Sequence, residues 1–511
     1  MNRHSPKSLL CYLLIAIVGV GYLVTLRDGH TWEDDFAGYV LHARNIATGQ
    51  GYAETGYIYN GEVAGVGPVA YPPVFPLLLA PVYSAFGLNL TAMKVVVVMF
   101  FVGFLVVVHL NTRRQISNTA SLLLIGALGL SPYFWYLKDH IISDIPFAFL
   151  CFGTLLFVDR AHVKHNRRLW YGVALGLLLY LCYGTRSVGI ALLPMLCAFD
   201  LLRFRRVTLA TMTALVVCVV GMVGQATLIS GPSGPDHYAG QFETEPAIAL
   251  SRTGGYSDQF EIDPQILLDN HVNYIRAVAW FLDNGYSRAL RFLLAGIVFI
   301  LAGVGYVLRV RRTIGILEVF PLFYMMPVLV WPAFQGVRLL IPVIPLLIFY
   351  ALYAMDHTSW LPIKLRRQIV VAAFAFLLGV SYLGAYVNVE EYRGEIPDSV
   401  LSPETQEMFS FVRHNTADDA TFICSRPRGF ALFTERSASV YHDTPTDDEL
   451  WEYFARIGAE YVIQSAGDDT DYFTHFLDRN RLSFSQAFAN QRFIVLKIAR
   501  PGGSIDLGGS L

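Results

Sequence analysis

Trp32-Glu33-Asp34-Asp35-Phe36 sets three consecutive carboxylates behind an apolar run that extends from about Leu9 to Leu26. A run of that length suits a bilayer span, which takes about 17–25 residues. Arg3, His4 and Lys7 precede it as in a signal peptide, but no small-residue cleavage site follows. The run reads as a retained first membrane helix, and the acidic stretch marks where the chain enters the far aqueous phase.

Working outward, the whole composition agrees. Of 511 residues, 54% are hydrophobic and 15% charged, with a mean hydropathy of +0.45, outside the range of a soluble globular chain. The formal net charge is −2, and no strongly basic segment offers a nucleic-acid surface, so no nucleic-acid partner is expected. Five of the cysteines (Cys11, Cys151, Cys182, Cys197 and Cys218) lie in apolar segments, leaving Cys424 in a polar one. Neither a disulfide framework nor a metal-type spacing results.

Apolar segments predict about eleven transmembrane helices, at roughly 9–26, 90–110, 118–131, 144–158, 169–183, 187–202, 207–229, 291–308, 315–331, 339–355 and 369–387. Every second connection carries the positive charge: Arg113 and Arg114; Arg160, Lys164, Arg167 and Arg168; Arg203, Arg205 and Arg206; Arg309, Arg311 and Arg312; Lys364, Arg366 and Arg367. Cytoplasmic loops hold such an excess, which places the N-terminus in the cytoplasm and the C-terminus outside. The outer face then receives the first loop (about 27–89), Ser131–Ser143, the turn at Gly184–Ser187, a second long loop (about 230–290), Pro332–Arg338 and the C-terminal region.

In the first loop, Phe36, Tyr39, Val40, Ala43 and Ala47 recur at helical spacing, predicting an amphipathic helix along the membrane surface, with Thr31 and Asp34 as a capping box. A glycine-rich stretch (Gly49 to Gly67) and Tyr71-Pro72-Pro73 follow, before a short apolar segment that dips into the interface without spanning. From about 400, helices at Glu404–Arg413, Asp447–Arg456 and Tyr472–Arg479 alternate with strands at Thr421–Cys424, Tyr461–Gln464 and Arg492–Ile498, predicting a small α/β domain. The expected division is a membrane module, 1–387, and an outer-face domain, 388–511. The Gly- and Ser-rich end is expected to fray.

Three adjacent carboxylates exceed what capping one helix requires, so Glu33, Asp34 and Asp35 are candidates for cation binding or proton removal. Lys138, Asp139, His140 and Asp144 share their side; Asp144 is either a helix cap or part of the same site. Arg186 and Arg338 stand at outer helix ends, where positive residues are depleted. Either they snorkel to headgroups or they hold a phosphate. Asp139, His140, Asp144 and Glu62 also bear oxygen or nitrogen donors for a divalent metal, without a diagnostic spacing.

These residues resemble the GT-C superfamily of polyprenyl-phosphate-sugar glycosyltransferases, especially the branch of protein O-mannosyltransferases and of lipid A aminoarabinose and galacturonic acid transferases. The likeness covers about residues 1–355. It rests on Asp34-Asp35 with Tyr39 and Ala43, Gly49-Gln50-Gly51-Tyr52, Tyr71-Pro72-Pro73, Ser143-Asp144-Ile145-Pro146, Thr185-Arg186, and Arg338 with Pro342 and Pro345. Family members usually carry Asp-Glu where this chain has Asp34-Asp35.

The resemblance implies inverting transfer of a sugar from a polyprenyl-phosphate donor to a protein, lipid or glycan acceptor on the outer face; the compact architecture suggests a bacterial inner membrane. In that reading Asp34 is the general base, supported by Asp35 or Glu33, and Arg186, Arg338 and Lys138 hold the donor phosphate. Asp139, His140, Asp144 and Tyr71 support the site, and a divalent ion is an option, as in some relatives. Two other readings are a lipid or solute transporter, which would place ionisable groups mid-span and show paired broken helices, and a non-catalytic membrane scaffold. Here the conspicuous charges lie in loops, without internal duplication.

Overall fold

The computed structural model describes residues 6–229, 264–282, 287–331, 334–357, 364–389, 394–467 and 469–499. All eleven predicted apolar segments are helical. In chain order the first part holds α1 (Pro6–Val24), α2 (Asp35–Thr48), α3 (Val74–Phe86), α4 (Leu90–Thr112), α5 (Asn118–Gly129), α6 (Pro132–Leu137), α7 (Asp144–His165), α8 (Leu169–Thr185), α9 (Leu192–Phe204) and α10 (Leu209–Ile229). After them come α11 (Pro264–Phe281), α12 (Arg288–Arg312), α13 (Ile316–Val330), α14 (Ile344–His357) and α15 (Lys364–Asn388).

Five of these helices are long and apolar enough by themselves to cross a membrane. Their outward surface shows the solvent they are built for. On α1, Cys11, Ile15, Val18 and Tyr22 are buried, while Leu9, Leu13, Ile17, Val20 and Val24 are exposed. Both sets recur at helical spacing, so one stripe packs on the bundle and an equally apolar one faces outward. Water does not favour such a stripe, whereas lipid accepts it. The chain is an integral membrane protein.

α3 has 13 residues, about 20 Å of helix, too short for a core of ~30 Å, in keeping with a segment that dips without spanning. Part of the second predicted loop is not loop: α11 occupies Pro264–Phe281, and Asn270 Nδ2 ties it to the carbonyls of Leu329 and Trp331, both at 2.8 Å. Residues 230–263 and 283–286 of that loop, and the Gly- and Ser-rich end from residue 500, lie outside the described residues.

Beyond the bundle follow α16 (Pro403–Asn415), β1 (Thr421–Ile423), α17 (Pro427–Thr434), β2 (Ser437–Ser439), α18 (Asp447–Ile457), β3 (Ala459–Ser465), α19 (Asp471–Arg479), β4 (Phe484–Ala489) and β5 (Phe493–Ile498). They form one sheet in the order β2-β1-β3-β5-β4. β2, β1 and β3 are parallel; β5 runs antiparallel to β3, and β4 to β5.

This sheet is knitted into the first loop. Ile58 donates to the Ala438 carbonyl (2.8 Å) and Ala438 to that of Gly56 (2.9 Å), covering the β2 edge. Trp32 donates its N–H to Asp398 O at 3.0 Å and stacks on Phe409, with Phe493 beside it. α2 therefore has two partners. It packs on α3 and on α17, so Phe36 to Ala43 are buried without a break, and the outward face expected to meet solvent is covered instead. The Thr31 capping box does not form: Thr31 Oγ1 pairs with His30 Nδ1 at 3.2 Å, and Asp34, at the N-cap position, makes no side-chain cap.

Candidate active site

Three helix ends converge beside the start of α2. α7 begins at Asp144, whose carboxylate, 1% exposed, lies at a helix N-terminus, where the backbone dipole favours an anion. α8 ends in an extended Arg186, from which the chain turns into a short 3₁₀ segment, Ser187–Ala191. Arg338 opens another 3₁₀ turn ahead of α14. The resulting ion-pair chain is continuous. Arg186 Nη1 lies 2.7 Å from Asp144 Oδ1, Arg338 Nη2 lies 3.1 Å from Asp144 Oδ2, and Arg338 Nη1 lies 2.6 Å from Asp35 Oδ2.

The Tyr71 hydroxyl donates to the other oxygen, Asp35 Oδ1, at 2.7 Å. Asp35, Tyr39, Tyr71, Arg186, Gln335 and Arg338 line a cavity of about 200 Å³. Tyr39 hydrogen-bonds Ser143 at 2.8 Å, and burial pushes its phenol up to about 12. Burial also pushes the Asp35 carboxyl upward, but Arg338 and the Tyr71 hydroxyl outweigh it and hold the group well below the usual carboxylate range. In this state Asp35 is an ionised but weak base.

Asp34 faces the other way. Its Oδ1 accepts from the backbone N–H groups of Arg428 and Gly429 at 3.0 and 3.2 Å, at the first turn of α17. Burial raises its pKa to about 6, against the opposing pull of Arg428. Glu33 is half-exposed, 3.9 Å from His140 Nε2, and does not line the cavity. Burial holds the His140 imidazole down to about 4, so this contact joins a neutral ring, not an ion pair. Lys138 lies outside the cavity too: it is buried, 2.6 Å from Asp139, which also pairs with Arg27 at 2.7 Å.

The structure thus gathers Asp35, Tyr71, Asp144, Arg186 and Arg338, and separates from them Glu33, Asp34, Lys138, Asp139 and His140. It adds Arg428, which the sequence reading missed. Arg426 and Arg428 directly follow parallel strand β1, an edge where such sheets place working side chains; that was the available signal.

The donors suggested for a divalent ion are engaged otherwise or apart. Asp139 is balanced by Arg27 and Lys138, Asp144 by Arg186 and Arg338, and Glu62 is exposed. Among the described residues no three His, Cys, Asp or Glu side chains gather as a ligand set.

No family model matches the sequence, and no curated protein matches it significantly. Solved structures do. The archaeal oligosaccharyltransferase AglB from Archaeoglobus fulgidus, in complex with an inhibitory peptide and a dolichol-phosphate, is similar over 98% of this chain and 75% of its own, with a TM-score of 0.59 and 12% identity. The oligosaccharyltransferase from the same organism in complex with Zn and sulfate gives 0.58 at 13% identity, over 93% of this chain and 71% of its own. The arabinofuranosyltransferase AftD from Mycobacteria gives 0.52 at 11% identity, over 97% of this chain, which spans 42% of AftD. At such identities the likeness is one of architecture: the chain shares the fold of these solved membrane enzymes.

Proposed function

We propose that the protein transfers a sugar, with inversion, from a polyprenyl-phosphate donor to an acceptor hydroxyl or amide on the extracytoplasmic face of its membrane. The observation that carries this reading is one cavity, at the end of an apolar bundle, that holds a carboxylate beside two guanidinium groups. Arg186 and Arg338 suit the donor phosphate, and Asp35 suits the proton. The base is assigned to Asp35 in place of Asp34, because only Asp35 borders the cavity.

As the acceptor attacks the anomeric carbon from the face opposite the phosphate, its proton passes to Asp35 and the carbon–oxygen bond to phosphate breaks. The electron pair leaves with the polyprenyl phosphate. A phosphate is a good leaving group, so one carboxylate suffices, where a glycosidase needs two. The new charge on phosphate is met by the two arginines. Donor binding also prepares the base: an Arg338 turned toward phosphate gives up part of its hold on Asp35, whose basicity then rises. The first loop, which lines the cavity with Gly67 and Tyr71, and the α/β sheet packed on that loop are assigned to the acceptor side.

The test is direct. Purified protein is incubated with radiolabelled mannose, galacturonic acid or 4-amino-4-deoxyarabinose on undecaprenyl phosphate, with envelopes of a deletion strain as acceptor. Label should move to envelope material from one of these donors. Retention of label on every donor would contradict the assignment.

A further inference from the structure

We propose that Arg428, carried by the C-terminal sheet's helix α17, is a positioning residue for Asp35 and acts through the Tyr71 hydroxyl. This rests on the reading of Asp35 as the base. The Arg428 side chain is 2% exposed, yet among the described residues no carboxylate lies within ion-pair distance of it. Its donors go to the carbonyls of Val66 and Pro68 and to the Tyr71 hydroxyl, each at 2.6 Å. Its plane lies over the rings of Tyr57 and Tyr71, at 4.5 and 4.8 Å.

A phenol has one proton to give and lone pairs to accept with. Arg428 fills the accepting side of Tyr71, so the single proton is committed to Asp35 Oδ1. A hydroxyl that accepts from a cation is a stronger donor in turn. The contact therefore fixes Oδ1 and leaves Oδ2, the atom paired with Arg338, as the oxygen that meets the acceptor. The seat is tight. A Cβ at Gly38 would come to 2.7 Å from the Tyr71 ring, and one at Gly67 to 3.2 Å from its hydroxyl and 3.3 Å from Arg428 Nη2. The backbone of Arg428 meanwhile holds Asp34. One residue of α17 is thus linked to both neighbouring carboxylates, directly to Asp34 by its amide and indirectly to Asp35 through Tyr71.

The experiment is a double-mutant cycle on the full-length protein, using the radiolabelled undecaprenyl-phosphate sugar it turns over. Arg428→Met should lower kcat about tenfold, the worth of one charge-assisted hydrogen bond, and leave binding of undecaprenyl phosphate unchanged. The acid limb of kcat/KM should move to higher pH, because a less polarised phenol stabilises the carboxylate less. Arg428→Lys should recover part of the rate. Combining Arg428→Met with Tyr71→Phe should be no slower than Tyr71→Phe alone. Additive losses, or an unmoved pH profile, would overturn the proposal. Should Arg428→Met fail to fold, the cycle is read with Arg428→Lys. Asp35→Asn separates the two levels: if it is inactive while the losses are additive, the positioning role alone fails, and if it turns over normally, base and positioning role fail together.

Discussion

Asp34 and Asp35 are neighbours in sequence and of one chemical type, yet they belong to different regions of the molecule. Asp34 points at the α/β sheet and receives two backbone N–H groups of α17. Asp35 points into the bundle and receives Tyr71 and Arg338. The first is a carboxylate used as a fastener, raised to about 6 by burial. The second is held low by a guanidinium that a substrate phosphate would draw away. Adjacent residues at a helix start diverge by about 100°, and that rotation alone turns one to the α17 backbone and the other to the cavity.

The largest effect that sharpens this contrast is expected at Asp35. Asp35→Asn should lower kcat by about 100- to 10,000-fold, while undecaprenyl phosphate binds as well or better because Arg338 loses a competing anion. Weaker binding in a titration of that variant would break the exchange between carboxylate and phosphate. Next comes Arg338→Gln, expected to weaken binding of undecaprenyl phosphate about 10- to 100-fold, the range of charged hydrogen bonds. The same change should bring the acid limb of kcat/KM upward, since Asp35 is depressed by this arginine. An unchanged pH profile would say that Asp35 is not the group titrating.

A smaller effect is expected on stability. The folded pKa of Asp34 lies above its value in an unfolded chain, so its contribution is greatest below about pH 4 and is lost as pH rises through about 6, on the order of 3 kcal/mol at most. Asn keeps an oxygen for the two N–H groups and carries no charge to bury. Asp34→Asn should therefore flatten the dependence of melting temperature on pH between those values, and a steeper dependence would contradict the burial argument. Smallest of all, chelation by EDTA should leave the transfer rate unchanged, because arginines and Lys138 already balance the carboxylates that a divalent ion would need. A loss restored by one added ion would show that those pairs open.

Much of this was legible in the sequence, for physical reasons that can be named. Eleven apolar segments became helices because a bilayer demands internal backbone pairing over just such runs. Asp144, Arg186 and Arg338 stood out because they are charges at the ends of apolar segments, and the structure joins all three in one ion-pair chain, whose two arginines line the cavity. Lys138 and Asp139 stood out in the same way, but they neutralise each other within one turn, which spacing alone does not reveal. Helix α17 went unread because Arg426-Pro427-Arg428-Gly429 carries two residues that favour turns. Pro427 in fact occupies the first helical turn, where its missing N–H costs nothing. Without that helix the sequence offers neither Arg428 nor the partner of Asp34, so it does not tell the two carboxylates apart, and its reading of Asp34 as the base gives way to Asp35 only in the proposal made from the cavity's geometry.

The contrast between them is open to one decisive comparison: the rate of sugar transfer from radiolabelled undecaprenyl-phosphate donor by Asp34→Asn and by Asp35→Asn, each purified and tested at saturating donor. The account expects Asp34→Asn to stay within about tenfold of the unaltered protein and Asp35→Asn to fall by at least about 100-fold. Near-normal transfer by Asp35→Asn, with loss in Asp34→Asn, would contradict it.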